Sequence, residues 1–184
     1  MSSRIVRTVW VLGDQLNRNL AHLCTARPVD TRVLFVISLD KLRSAPWHQQ
    51  RLHFILTAMR RLANELTDEG FLVDWRVAET MRQGVSAHLE EFSPEDISVM
   101  QPMNRAGQRL IDSLSATMPI TVTPSDQFLC SREEFAEWAS ANTRKDGSLL
   151  MEDFYRWQRR RLDILIGPGG EPVGGRWNYD DENR

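Results

Sequence analysis

At 184 residues, with 41% hydrophobic and 26% charged side chains, the chain has room for one moderate domain and an appendage, which excludes two separate large domains. Its 23 basic and 25 acidic residues leave a net charge of −2, so no global positive field draws it onto nucleic acid without sequence preference. The two cysteines, Cys24 and Cys130, have no C-x-x-C spacing, which excludes a thiolate zinc site or a disulfide framework and suits a reducing cytosol.

The start of the chain carries Arg4 and Arg7 ahead of a short apolar run. Gly13-Asp14-Gln15 interrupts that run before a signal-peptide core or a membrane span is complete, so a cytoplasmic location is expected. Thr8–Leu12 and Arg32–Ile37 are continuous β-branched and aromatic runs, the pattern of strands covered on both faces. Between Trp47 and Asp68, Leu52, Ile55, Leu56, Met59, Leu62, Ala63 and Leu66 follow the spacing of a helix buried on one side. Phe71–Val77 reads as a third strand. Thr80-x-x-Gln83 is a capping box opening a helix with Val85 and Leu89 inward. Asp96–Met100 is a fourth strand, Arg105–Met118 a helix and Ile120–Thr123 a fifth strand.

Strands alternating with helices predict parallel pairing through right-handed crossovers. The expected fold is an α/β domain with a five-stranded, doubly wound parallel sheet over residues 1–128. Residues 129–184 are expected to be short helices and an irregular tail. Ser131-x-x-Glu134 caps a helix through Trp138, and Leu150–Ile166 forms another before Gly167-Pro168-Gly169-Gly170 ends regular structure. Asn142–Ser148 is expected to be the most mobile loop. The tail ends at Tyr179–Arg184 with no closing element, as expected of a chain that continues elsewhere.

In such a sheet the ligand crevice lies beyond the carboxyl ends of the strands. The candidate loops are Gly13-Asp14-Gln15, Ser38–Lys41, Gln101–Asn104 and Pro124–Asp126. Neither glycine-rich phosphate cradle is present, which disfavours a dinucleotide or triphosphate. Asp14 and Gln15 offer hydrogen bonds of both senses, and Leu12, Ile55 and Met103 offer apolar walls, a combination suited to a flat heteroaromatic ring. The alternative is that Asp14 caps the following turn and Gln15 holds a neighbouring loop. His48, at the start of the long helix, lies beside the proposed crevice or simply faces solvent. No metal-ligand spacing and no catalytic triad is visible. Asp180, Asp181 and Glu182 are adjacent and cannot all face one ion, so they read as a solvated acidic run. Arg156 and Arg160 share a helix face, either as a strip for phosphates or as partners of Glu152, Asp153 and Asp163.

Gly13-Asp14-Gln15-Leu16, Ala58-Met59-Arg60, Phe154-Tyr155-Arg156 and above all the string from Pro172 to Arg184, PVGGRWNYDDENR, carry a further reading. Together they resemble the photolyase-related family of bacterial cryptochromes and (6-4) photolyases that contain an iron–sulfur cluster. The resemblance implies the N-terminal antenna half of a light-driven DNA repair flavoprotein or photoreceptor. It implies an antenna pigment, 6,7-dimethyl-8-ribityllumazine, near Gly13, Asp14, Gln15, Lys41 and Ile55. FAD and a 4Fe–4S cluster would belong to a C-terminal half not represented in these residues, so no catalytic residue is expected here. Damaged DNA would be the partner of the intact protein, with Arg184 as a contact and Trp177 packing between the halves. The competing reading is a stand-alone α/β regulatory module for a nucleotide-like ligand or a partner protein.

Overall fold

The structure is a computed structural model and describes residues 5–179. Its elements are β1 (Arg7–Val11), α1 (Ala21–Cys24), β2 (Thr31–Ser38), α2 (Leu39–Arg43), α3 (Gln49–Asp68), β3 (Leu72–Ala78), α4 (Met81–Phe92), β4 (Asp96–Met100), α5 (Arg105–Ser115), β5 (Ile120–Thr123), α6 (Arg132–Asn142) and α7 (Met151–Arg161). The five strands form one parallel sheet in the order β3-β2-β1-β4-β5. This is the doubly wound α/β architecture expected from the alternation of strand and helix patterns.

Strand geometry explains why the runs in β1 and β2 carry no polar alternation. Successive side chains point to opposite faces, and both faces are covered. Val9, Val11, Val33, Phe35 and Ile37 pack on one side against Met59, Leu62 and Leu66 of α3. Trp10, Leu34 and Val36 pack on the other against Val85 of α4 and Ile111 and Leu114 of α5. The Thr80 capping box forms, with the Gln83 amide donating to Thr80 Oγ1 at 3.2 Å and the Thr80 amide donating to Gln83 Oε1 at 3.2 Å.

The chain divides into two compact units between Gln127 and Phe128. In the second, α6 opens on the Ser131 box, where the Glu134 amide donates to Ser131 Oγ at 3.0 Å and the Ser131 amide to Glu134 Oε2 at 2.7 Å. Phe135, Trp138, Phe154 and Trp157 of α6 and α7 form an aromatic cluster with ring centres 5.0 to 6.1 Å apart. No helix among the described residues is long and apolar enough to cross a membrane.

Several boundaries differ from the sequence expectation. β1 stops at Val11 rather than Leu12, α5 stops at Ser115 rather than Met118, and α6 continues beyond Trp138 to Asn142. α7 runs from Met151 to Arg161 rather than from Leu150 to Ile166. At its end the backbone leaves helical geometry: Asp163 and Leu165 take left-handed conformations with φ of 53°, and the Ile164 amide donates to the Arg159 carbonyl at 3.0 Å, five residues back rather than four. The buried Arg159 side chain reaches forward to donate to the carbonyls of Ile164 (3.1 Å) and Leu165, which holds the segment after the helix. The short helices α1 and α2 have no counterpart in the sequence reading.

Gly84 lies where α4 crosses the sheet. A Cβ there would meet Val36 Cγ1 at 2.4 Å, and Val36 is a stiff β-branched side chain, 2% exposed, on a central strand. Glycine ordinarily costs about 1 kcal/mol against alanine inside a helix. Here the contact reverses the sign, and Gly84→Ala is expected to destabilise the protein by about 1–3 kcal/mol in chemical denaturation.

Candidate functional site

β1 lies between β2 and β4, so the connections leaving its carboxyl end diverge to either side. A cavity of about 510 Å³ opens at this point. Its walls are apolar, from Leu12, Val36, Ile55, Leu56, Met59 and Leu110. Gly13 forms part of the surface, where a Cβ would stand 3.4 Å from Met59 Sδ and 3.6 Å from Ile55 Cγ2. A side chain at this position would project onto the wall that Met59 and Ile55 build.

Polar groups border the apolar chamber. Thr80 and Asn104, the N-caps of α4 and α5, both line it, so two helix N-termini open toward it. Asn104 Oδ1 accepts from the Gly107 amide at 2.7 Å. Ser38 begins α2 by accepting the Lys41 amide at 3.2 Å, and its hydroxyl donates to the Glu79 carbonyl at 3.3 Å. Trp47 Nε1 then donates to the Lys41 carbonyl at 3.2 Å, which fixes the α2 connection over the cavity.

Of the residues singled out from sequence, Gly13, Asp14, Lys41 and Ile55 all line this cavity. Gln15, Met103 and His48 do not. Gln15 is fully buried, and its Nε2 donates to the Met100 carbonyl at 2.9 Å, holding the β1 loop to the end of β4. Met103 is half-buried between the lining residues Pro102 and Asn104. His48 is exposed and caps α3, its Nδ1 accepting the Gln50 amide at 3.2 Å. Arg184 and the Asp180-Asp181-Glu182 run lie outside the described residues. The structure also adds Trp47, Met59, Thr80 and Met81 to the lining. Met59 stands four residues after Ile55, a spacing that could have revealed it. Thr80 follows the third strand, whose loop the sequence reading did not include.

The arginines of α7 are largely engaged within their own unit. Arg156 pairs with Glu152 at 2.9 Å and Arg161 with Glu134 at 2.5 Å. The guanidinium carbons of Arg156, Arg159 and Arg160 lie 5.9, 5.1 and 4.7 Å from the centre of the Trp177 ring.

One polar constellation was not visible in the sequence. His88 Nε2 lies 2.8 Å from Thr8 Oγ1, and His88 Nδ1 lies 2.6 Å from Asp74 Oδ2. Arg76 completes the row, 2.5 Å from Asp74 and 2.7 Å from Glu91. Burial raises the Asp74 pKa, but hydrogen bonds from His88 and Arg76 outweigh it and hold the carboxyl below its ordinary value. Thr8 and His88 are 1% and 0% exposed, so no substrate reaches the histidine end of this row; it ties β1, β3 and α4 together. Three sequence-distant residues meeting across a sheet leave no local spacing to recognise.

His22, on α1, is buried, and neither ring nitrogen has a hydrogen-bond partner among the described residues. Burial lowers its pKa from 6.5 to about 4, against the opposing pull of the Asp126 carboxylate. Asp126 is itself held nearby, accepting the Ala21 amide at 2.8 Å.

Comparison with known proteins places these observations in context. The sequence profile of the family described as deoxyribodipyrimidine photo-lyase-related protein matches residues 9–184. A (6-4) photolyase of Agrobacterium fabrum (strain C58 / ATCC 33970) is 35% identical over 187 residues, covering 96% of this chain and 35% of that protein. Uncharacterized protein R852 of Acanthamoeba polyphaga mimivirus is 22% identical over 151 residues, covering 79% of this chain and 75% of that protein. The chain thus spans about a third of the length of the (6-4) photolyase.

The His22 geometry predicts a pH dependence. The unfolded chain takes up this proton near the ordinary value of 6.5, the folded protein only near 4, so stability falls as pH drops through that window. The full loss is up to about 3 kcal/mol. Replacing His22 with Leu is expected to shrink the difference in urea midpoint between neutral and mildly acidic solution.

Proposed function

Because the chain belongs to the deoxyribodipyrimidine photo-lyase-related family, we propose that it supplies the antenna-chromophore part of a light-driven, photolyase-like DNA repair protein or photoreceptor. On this reading residues 1–128 are the antenna-binding domain, and residues 129–184 lead toward a flavin-binding half. The observation that carries the proposal is the cavity of about 510 Å³ at the carboxyl ends of the strands. Its apolar walls, with polar groups at their border, are the lining that a planar heteroaromatic ring requires. For 6,7-dimethyl-8-ribityllumazine, Leu12, Ile55 and Met59 would enclose the ring, and Asp14 would offer an acceptor to its polar edge. A pigment held there absorbs near-ultraviolet or blue light and passes the excitation on.

A 4Fe–4S cluster does not fit the residues of this chain. The cluster takes four thiolates, and the sequence contains two cysteines, one exposed and one half-buried in different units. The cluster and FAD belong, in this proposal, to a further half such as the longer (6-4) photolyase has room for. The repair chemistry and most of the damaged-DNA contact belong there too, in a cytoplasmic protein. Arg184 is the candidate DNA contact contributed by this chain, and Trp177 the residue packing toward the second half.

A second reading is a stand-alone α/β module that binds a nucleotide-like ligand or a partner protein. One observation favours it: the match to R852 covers similar fractions of both chains, so that protein is of comparable length. Pigment uptake separates the two readings. Lumazine added to the purified chain is expected to co-elute at one equivalent in gel filtration with its absorption band retained. Ile55→Gln is expected to weaken binding about tenfold, because a buried apolar contact is replaced by an amide. Pigment eluting wholly in the free fraction would overturn the antenna reading.

A further inference from the structure

We propose that α2 and the turn after it, residues 39–47, form a gate through which the ligand of this cavity enters and leaves, with the Arg43–Glu79 ion pair as its latch. The inference rests on the pigment reading above and adds the route that the pigment takes. Asp40, Lys41, Leu42, Ser44 and Trp47 make one wall of the cavity. The segment is tied to itself, since Trp47 Nε1 donates to the Lys41 carbonyl at 3.2 Å and the Ser44 hydroxyl donates to the same carbonyl at 2.8 Å. It can therefore move as one piece.

What sets this wall apart is how little holds it. The α3 wall belongs to the core, where Met59 packs with Leu62 and Leu66 against the sheet. The loop after β1 is braced by the buried Gln15 through its bond to Met100. α4 is stapled to α5, because Arg82 donates to the Ser113 carbonyl at 3.2 Å and to its Oγ at 2.9 Å. α2, by contrast, has no buried residue. Leu42 packs half-buried against the core, and Arg51 lies over the Trp47 ring. Beyond the adjoining Ser38, the hydrogen bonds and ion pairs that tie α2 to other elements among the described residues all end on Glu79. The Asp40 amide donates to the Glu79 carbonyl at 2.9 Å, and Arg43 pairs with the Glu79 carboxylate at 2.6 Å.

Both members of that pair are exposed, with side chains 66% and 53% accessible, and an ion pair in such a setting holds weakly. A segment with few buried contacts and solvent-exposed bonds opens well before the protein unfolds as a whole. The cavity thus exchanges its contents at the α2 side while the other walls stay in place. Neither Arg43 nor Glu79 lines the cavity, so the latch governs passage rather than contact with the ligand.

Hydrogen exchange on the unliganded chain reads the gate directly, and stopped-flow mixing with 6,7-dimethyl-8-ribityllumazine reads passage through it. Amides of residues 39–47 are expected to exchange faster than those of α3, α4 and α5. Glu79→Gln keeps the carbonyl bonds and is expected to speed these amides alone by about two- to fivefold. The same variant should raise pigment association and dissociation rates together by a similar factor, leaving Kd nearly unchanged. Arg43→Gln should reproduce both effects. Salt raised toward about 1 M should quicken passage in the parent chain and not in the variants, because the pair is screened. Rates unchanged by both variants, or a rise in dissociation alone, overturn the gate. If the lumazine does not bind, the pigment reading falls and hydrogen exchange decides the gate by itself. Fast exchange confined to residues 39–47 and dependent on the latch then supports it, and exchange no faster than in the flanking helices overturns it.

Discussion

A central parallel strand with neighbours on both sides must send its following loop to one side while the loop of β4 goes to the other. The gap between them is the constraint on which the site depends. One side-chain amide spans that gap. Gln15 leaves the chain just beyond β1 and donates to the last carbonyl of β4, at Met100, from a fully buried position. That bond ties the loop after β1 to the end of β4. Gly13, two residues earlier, keeps its surface free of a side chain, and Met59 and Ile55 form the wall facing it. Preorganisation of this kind lowers the ordering cost that a bound ring would otherwise incur.

The same sheet is stabilised on its far side by polar contacts that serve no ligand. The row from Thr8 through His88 and Asp74 to Arg76 and Glu91 runs from deep burial to the surface, and each member satisfies the next. Such a network costs little while complete and much when broken, because each loss leaves a buried group without its partner. It has the outline of a catalytic relay without access, and burial is what separates the two meanings.

Much of the fold could be read from the sequence because its signals are local. The unbroken apolar runs of β1 and β2 announce strands covered on both faces, the stripe from Leu52 to Leu66 announces α3, and the two capping boxes mark the first turns of α4 and α6. The site was legible to the extent that it follows from topology: loops at the carboxyl ends of strands had to border it, and Gly13, Asp14, Lys41 and Ile55 do. The rest depended on contacts between distant segments. α2 is started by Ser38, whose hydroxyl also reaches the Glu79 carbonyl beyond β3, and no feature of residues 38–43 foretells that partner. Gln15 has the composition of a ligand contact and the position of a brace. The end of α7 was hidden because it depends on backbone conformation, with Asp163 and Leu165 left-handed, and on Arg159 reaching forward to the carbonyls of Ile164 and Leu165.

Gln127 is the last residue of the α/β unit, and its side-chain amide donates to the Asp14 carbonyl at 2.6 Å. The exit of the unit is thus latched to the loop where its crevice begins, across 113 positions of sequence. Anyone transplanting this unit onto another protein should count Gln127 as part of the cargo, because a graft cut a few residues short would arrive with its entrance loop unfastened.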